Sequence, residues 1–436
     1  MTTERIANFF RERIVFAKLA TIILWVSYAI SLILGNPAIP SNLKGEVVTA
    51  DHLAWYTAAR LIREGQPEKV YDHEFVTEYQ AKLFPPQQWT TLMAYRNPPF
   101  YALLYWPTSS LPFVYSTLIW TFIHIGLLWF SVRWVIDEDP RSKCMTFFWV
   151  FSLYPMFCAI SYGQNTILSF AVFAGTYRLL ANGRPFTAGM VAGLLLFKPQ
   201  LLLGLVVWGV LDIRRKWPCL LGVIATGIAL VAGSYPLMPE VWQGFLVSLK
   251  SNVAFDNFEQ WKMHNPLAFW RLLMPHATSW HWPLAGVCSL IAIGGFVQLW
   301  RKRKQDLHVM FGGAVFLTLW ASPHAMIYEW GLLALTGLLW LPERKRNPNV
   351  WFLLYGAAWV VTFLSSHFAE LQLTLQGIDP AARDGHAVQL SIPVLAIVGW
   401  RAIGLFRVKM QGSLPIDGDS LGVLHIDVVR MTPLIE

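Results

Sequence analysis

Charge is scarce in this sequence. Only 14% of its 436 residues are Asp, Glu, Lys or Arg while 55% are hydrophobic, and the mean hydropathy is +0.44. A soluble domain carries about 25% charged residues, so a water-solvated globule is excluded and lipid is the main solvent. Cysteine is also sparse. Cys144, Cys158, Cys219 and Cys288 lie in or beside apolar runs without CxxC spacing, which excludes a disulfide framework and a zinc site and leaves packing roles. No glycine-rich loop leads into Lys-Ser or Lys-Thr, and no dinucleotide fingerprint joins a strand to a helix, so no nucleotide site is indicated. Neither an internal repeat nor a low-complexity tract is found. No small-residue cleavage site follows the first apolar run, which reads as an uncleaved helix.

What the chain has is apolar runs of membrane length. Crossing the hydrocarbon takes about 20 apolar residues, fewer where a span is broken. Runs bounded by charge or proline fall at 17–35, 113–136, 145–161, 164–181, 185–198, 199–213, 218–236, 283–300, 307–322, 325–341, 350–366 and 389–406. The expectation is an all-α integral membrane protein, one polytopic domain over 1–436 with about twelve transmembrane helices. The net charge of +8 does not point to nucleic acid, because the basic residues come in knots between spans, such as Arg214-Arg215-Lys216 and Arg301-Lys302-Arg303-Lys304. With the N-terminus inside, most of the 34 Lys and Arg residues are cytoplasmic, as the positive-inside rule requires. Both termini, including a polar tail at 407–436, are then cytoplasmic, and the long segments at 36–112, 237–282 and 367–388 are external.

Two local patterns stand out. Spans 185–198 and 199–213 are short and meet at Lys198-Pro199, where proline breaks the helix and a buried cation is costly. The Gly189 to Gly193 spacing inside the first is a small-residue packing motif. In the first external segment, Trp55, Ala58, Ala59 and Ile62 recur at helical spacing with Arg60, Arg63 and Glu64 turned away, and Gly65 and Pro67 follow. That predicts an amphipathic helix over 51–64 lying on the membrane. A second interfacial helix is expected within 97–112, which carries prolines at 98, 99, 107 and 112.

Four stretches together resemble glycosyltransferase family 87, the polyprenyl-phosphate-mannose-dependent type within the GT-C superfamily. They are Asp51-His-Leu-Ala-Trp-Tyr-Thr-Ala-Ala-Arg60, Asn97-Pro-Pro-Phe-Tyr-Ala-Leu-Leu104, Gly163-Gln-Asn-Thr166 and Ala188-Gly-Met-Val-Ala-Gly-Leu-Leu-Leu-Phe-Lys-Pro199, with a weaker fifth at Ser322-Pro-His324. Asn97 stands where the family usually has an aromatic residue, and one histidine follows Ser-Pro. The resemblance implies a GT-C helical bundle in the plasma (inner) membrane, its active site facing outside. It implies inverting transfer of a sugar, mannose favoured, from a polyprenyl-phosphate donor to a hydroxyl of a lipid or glycan acceptor. The donor is then a co-substrate and no cofactor is needed. A transporter or flippase of lipid-linked sugars is the alternative, although that class usually carries paired repeats and mid-membrane charges.

Inverting transfer needs a carboxylate to take the acceptor proton. Asp51 is the candidate, its bland alternative being a helix N-terminal carboxylate. No acidic partner stands beside Asp51-His52, so no metal is expected. The departing lipid phosphate needs cations, for which Lys198, Arg96 and Arg271 qualify; snorkelling to headgroups is the competing account. The resemblance adds His324 as a catalytic or phosphate-facing residue. Gln164, Asn165, His264, Asn265 and Tyr328 are candidates for sugar or acceptor binding. Glu329, next to Tyr328, either lines the same cavity or starts the next helix.

Overall fold

A computed structural model describes residues 3–34, 48–83, 92–136, 140–254, 259–378 and 385–406. The tail expected at 407–436, with 35–47 and 84–91 of the first long segment and 379–384 of the last, lies outside the described residues.

The chain is helical throughout what is described. After α1 (Thr3–Leu34) come α2 (Ala50–Arg63), α3 (His73–Leu83) and the single turn α4 (Ala102–Tyr105). Next are α5 (Phe113–Val135), α6 (Pro140–Phe151), α7 (Tyr154–Ser161), α8 (Thr166–Ala181), α9 (Pro185–Gly193), α10 (Leu203–Leu211) and α11 (Ile213–Ser234). The remainder comprises α12 (Pro239–Ala254), α13 (Pro266–Leu273), α14 (Thr278–Arg303), α15 (Leu307–Ala321), α16 (Leu333–Trp340), α17 (Pro348–Leu375) and α18 (Ser391–Leu405). One isolated antiparallel bridge joins Met263 to Met326.

Large apolar side chains face both inward and outward. Phe170, Phe173, Phe311, Trp330 and Trp351 are buried, yet Phe122, Phe130, Ile228, Leu290, Ile291 and Trp400 project from helix surfaces. In water that exterior would aggregate; in a bilayer it meets acyl chains. The chain is a multi-pass helical membrane protein.

Helix length does not carry the count of twelve. Among the described residues four helices, α5, α11, α14 and α17, are long and apolar enough to cross a membrane, and α6 with α7, bent by 71°, makes a fifth if counted as one broken span. Helix α1, 32 residues long, carries an apolar stretch over Leu19–Leu32; the other apolar helices, α8, α9, α10, α15 and α18, reach about 15–25 Å at 1.5 Å per residue, short of a hydrocarbon core of about 30 Å. Hydropathy counts apolar residues and is blind to where the backbone bends.

Several boundaries move for the same reason. Arg214, Arg215 and Lys216 form the first turn of α11 instead of a loop, and Pro218 sits inside that helix. Lys216 Nζ lies 4.2 Å from the Trp208 ring centroid. Arg303, one of the basic knot between spans, is buried and bonds Glu343 at 2.6 and 3.2 Å and also Asp306. Helix α17 runs on through residues 367–375, which sequence reading placed in an external loop.

Both stretches expected to form interfacial helices are helical. In helix α2 nine residues from His52 to Leu61 are buried against protein, while Ala50, Asp51, Arg60 and Ile62 are partly exposed and Arg63 is exposed. The segment 97–112 holds only a 3-10 turn, Pro99–Tyr101, and α4, because proline removes backbone donors and fixes φ. The Gly189 and Gly193 spacing does serve packing: a Cβ on Gly189 would lie 1.9 Å from Cys219 O, and one on Gly193 2.6 Å from Thr226 Cβ. Helices α9 and α11 therefore touch backbone to backbone.

Candidate active site

The local backbone breaks come first, because they build the site. Helix α7 ends at Ser161, and Gly163, with φ of +69°, turns the chain toward α8. Only glycine suits this turn. It needs a left-handed backbone, and a Cβ would lie 2.8 Å from His52 Cβ. Helix α2 docks into this break by its N-terminus: Thr49 N–H donates to Ser161 O at 2.7 Å and Asp51 N–H to Tyr162 O at 3.1 Å. Thr49 is itself left-handed, with φ of 62°. For a β-branched residue that strain costs about 1–3 kcal/mol, and the surrounding contacts must hold it.

A second break lies at Lys198. A 3-10 turn over Leu194–Phe197 precedes it and another over Pro199–Leu202 follows, with Lys198 at φ −137° and ψ 76°. Pro199 has no N–H to continue a helix. Asn97 fastens this break to α2: its amide donates to Phe197 O at 2.9 Å and its side-chain oxygen accepts Trp55 Nε1–H at 2.9 Å. Tyr71 OH donates to Asn97 O at 2.6 Å, and Tyr101 stacks on Phe197 at 4.6 Å. An aromatic residue in place of Asn97 could not make both side-chain bonds.

Between the two breaks runs a chain of polar contacts. Gln164 donates from Nε2 to Asp51 Oδ2 at 2.7 Å. Lys198 Nζ donates to Gln164 Oε1 at 3.3 Å and to Glu329 Oε1 at 2.6 Å. Glu329 Oε2 accepts the Met326 N–H at 2.8 Å. Tyr328 closes one side, its ring centroid 5.4 Å from Lys198 Nζ. Lys198 and Glu329 form an ion pair with side chains only 12% and 3% exposed.

Burial raises the carboxyl pKa of Asp51, and the Gln164 bond and the Lys198 charge only partly offset that rise. His324 is half-buried within electrostatic reach of Lys198 and Arg96, and burial lowers it to about 3, so its imidazole is neutral near pH 7. Burial also lowers the pKa of Arg96. His52 faces away from the polar chain, bonded to Ser116 at 3.0 Å and packed beside Trp55 and Tyr105.

The structure thus gathers Asp51, Gln164, Lys198, Tyr328 and His324, with Arg96 within electrostatic reach. It gives other candidates different work. Both ring nitrogens of His264 are taken by Ser391 and Ser366, each at 2.7 Å, and burial holds its pKa near 3. Asn265 caps α13 by accepting from Ala268 N–H at 2.8 Å and donates to Pro323 O at 2.9 Å. With His264 N–H on Ala325 O at 2.7 Å, these two residues pin segment 263–266 to segment 323–326. Arg271 is in the last turn of α13. Asn165 is fully buried, and neither amide atom makes a well-formed hydrogen bond; the Tyr101 hydroxyl is its polar neighbour.

Sequence reasoning left out two residues and undervalued one. Glu329 carried a signal, since an acid inside an apolar run is costly and so functional by default. Asn97 carried one as a polar residue beside two prolines. Thr49 carried none, because nothing in a threonine announces a left-handed backbone.

A helical membrane protein that places a half-buried carboxylate and a buried lysine on one glutamine, free of any nucleotide motif, has the equipment for group transfer at a membrane. Residues 95–323, more than half of the chain, match the profile of glycosyltransferase family 87, and the chain belongs to that family. It is a membrane glycosyltransferase, consistent with the GT-C superfamily. Gln164, Lys198 and His324's neighbour Pro323 fall inside the match; Asp51 precedes it and Glu329 follows it. No curated protein and no solved structure matches the chain significantly.

Proposed function

We propose that the protein transfers a sugar, mannose favoured, from a polyprenyl-phosphate donor to a hydroxyl of a lipid or glycan acceptor, with inversion. The reaction is assigned to the outer face of the plasma (inner) membrane, with both termini cytoplasmic. Asp51 takes the acceptor proton as the oxygen attacks the anomeric carbon. The bond from that carbon to the phosphate oxygen breaks, and its electron pair leaves with the lipid phosphate. Lys198 and Arg96 meet the negative charge that develops there, and His324, neutral, is available to hydrogen-bond the phosphate. Gln164 and Tyr328, with Asn165 behind them, are the polar groups assigned to sugar hydroxyls.

The observation that carries this reading is the Gln164 bridge. It holds the base and the phosphate cation one side chain apart, a spacing suited to an acceptor hydroxyl and a glycosyl phosphate meeting between them. A buried carboxyl with a raised pKa is also a better base near neutral pH than an exposed one.

The test is an assay of the purified, reconstituted protein with a panel of polyprenyl-phosphate sugars and glycolipid acceptors. Product of inverted anomeric configuration from one of these donors, lost in Asp51→Asn, is expected. Transfer that survives in Asp51→Asn removes this residue from the mechanism. Movement of labelled donor across the bilayer without transfer would favour the flippase reading.

A further inference from the structure

Glu329 is not needed by the reaction just described, yet it contacts the site's best-placed cation. A buried acid that neutralises the very lysine assigned to a phosphate appears counterproductive until the charges of substrate and product are compared.

We propose that Glu329 is a charge filter, fixing the phosphate subsite so that it accepts a phosphodiester bearing one negative charge and expels a phosphomonoester bearing two. The inference rests on the donor reading above. Three observations support it. The Lys198–Glu329 contact of 2.6 Å is almost wholly withdrawn from water, so the lysine charge is largely spent before a ligand arrives. Glu329 is tied at both oxygens, to Lys198 and to the Met326 N–H, so it does not swing aside when a phosphate approaches. A second carboxylate, Asp51, reaches the same lysine through Gln164.

The other groups facing this cluster do not supply a compensating charge on demand. Tyr328 and Tyr162 are phenols with rings 6.3 Å apart, and His324 is neutral above its lowered pKa of about 3. Arg96 brings one further positive charge; Lys262 and Glu259, which also act on Asp51, bring one of each sign. The named charges balance, so the subsite holds no surplus positive charge to offset a second negative charge on a ligand.

The chemistry changes that charge. A sugar phosphodiester is a monoanion with no second ionisation. Transfer breaks the sugar-to-oxygen bond and leaves a phosphomonoester, which at pH 7 carries about −1.5 to −2 because its second pKa is about 6. In a poorly hydrated site an added negative charge beside a fixed carboxylate is strongly disfavoured. Glu329 thus favours departure of the spent lipid over rebinding.

The experiment uses the full-length protein in lipid nanodiscs and measures KM for the polyprenyl-phosphate sugar and the inhibition constant Ki for polyprenyl phosphate. In Glu329→Gln, Ki is expected to fall about tenfold more than KM does, while Glu329→Asp keeps the native ratio. Ki and KM moving by the same factor, or neither moving, overturns the filter and leaves a structural ion pair. A measurement on the native protein covers the case in which the variant does not fold. From about pH 5.5 to about 7.5 the monoester gains its second charge and the donor gains none, so the ratio of Ki to KM should rise. A flat or falling ratio overturns the proposal. Turnover of the donor with an unchanged ratio sinks only the filter, whereas no turnover of any polyprenyl-phosphate sugar sinks the donor reading and the filter with it.

Discussion

Gln164 donates a hydrogen bond of 2.7 Å to Asp51 across 113 residues of sequence. The same amide receives Lys198 on its oxygen at 3.3 Å. A primary amide serves a carboxylate with its NH2 and an ammonium with its oxygen at once, from two separate atoms.

Replacing Gln164 by Ala should therefore uncouple base from cation. Stability is expected to fall by about 1–3 kcal/mol, as two buried charged groups each lose a partner. The catalytic efficiency should fall roughly 10–100-fold, equal to about 1.4–2.7 kcal/mol of transition-state binding. Thermal unfolding and steady-state kinetics on the purified variant check both, and wild-type kcat/KM would deny the bridge a catalytic role.

Asp51→Asn should lose transfer by a factor of about 10²–10⁴, the usual contribution of a general base, while inserting normally. The pKa gives a second readout. Burial raises the Asp51 carboxyl above its unfolded value of 3.8, so protonation favours the folded state, and the contribution present below pH 3.8 is lost as pH rises through the raised folded value. At neutral pH the ionised group is a net burden, and Asp51→Asn is expected to melt at the same temperature as wild type or higher. The acid limb of the native kcat/KM profile should lie above the ordinary carboxylate range. A limb at or below pH 3.8 would contradict that assignment.

The Lys198–Glu329 pair calls for a double-mutant cycle. Lys198→Met alone leaves a buried carboxylate unpaired, which costs about 3–5 kcal/mol in such pairs. Adding Glu329→Gln should restore most of the stability and none of the activity. A double variant as unstable as the single one would mean that packing, not charge, governs the loss.

Gly163→Ala tests the seat of α2. The position combines a φ of +69° with a Cβ contact of 2.8 Å to His52, so a loss of about 1–3 kcal/mol is expected, together with reduced transfer as Asp51 shifts. Gly183→Ala is the control. It shares the φ of +69° but has nothing within 4 Å of a new Cβ, and should cost only about 1 kcal/mol with activity unchanged. Equal activity losses at both sites would argue against the docking role.

Much of the site was legible because its members are expensive in lipid. Lys198 beside Pro199, the Gly163-Gln164-Asn165 break and Asp51 ahead of an apolar stripe all interrupt hydrophobic runs, and interruptions are visible in one dimension. His264 and Asn265 satisfied the same criterion and make their bonds to protein groups, and a polar break looks alike in sequence whether it meets a ligand or two serines. Glu329 was visible as a charge in an apolar run, but its partner was 131 residues away.

The sequence alone determined that this is an all-helical membrane protein, since 55% hydrophobic residues arranged in long runs leave lipid as the only solvent that suits them. It also determined where the backbone breaks, because proline, glycine and charge act locally. Only the tertiary structure decided which breaks meet, that most of α2 is buried against protein, and that Asp51, Lys198 and Glu329 form one electrostatic unit. Those outcomes depend on contacts between residues far apart in the chain, and hydropathy, a sum over neighbours, contains no term for them.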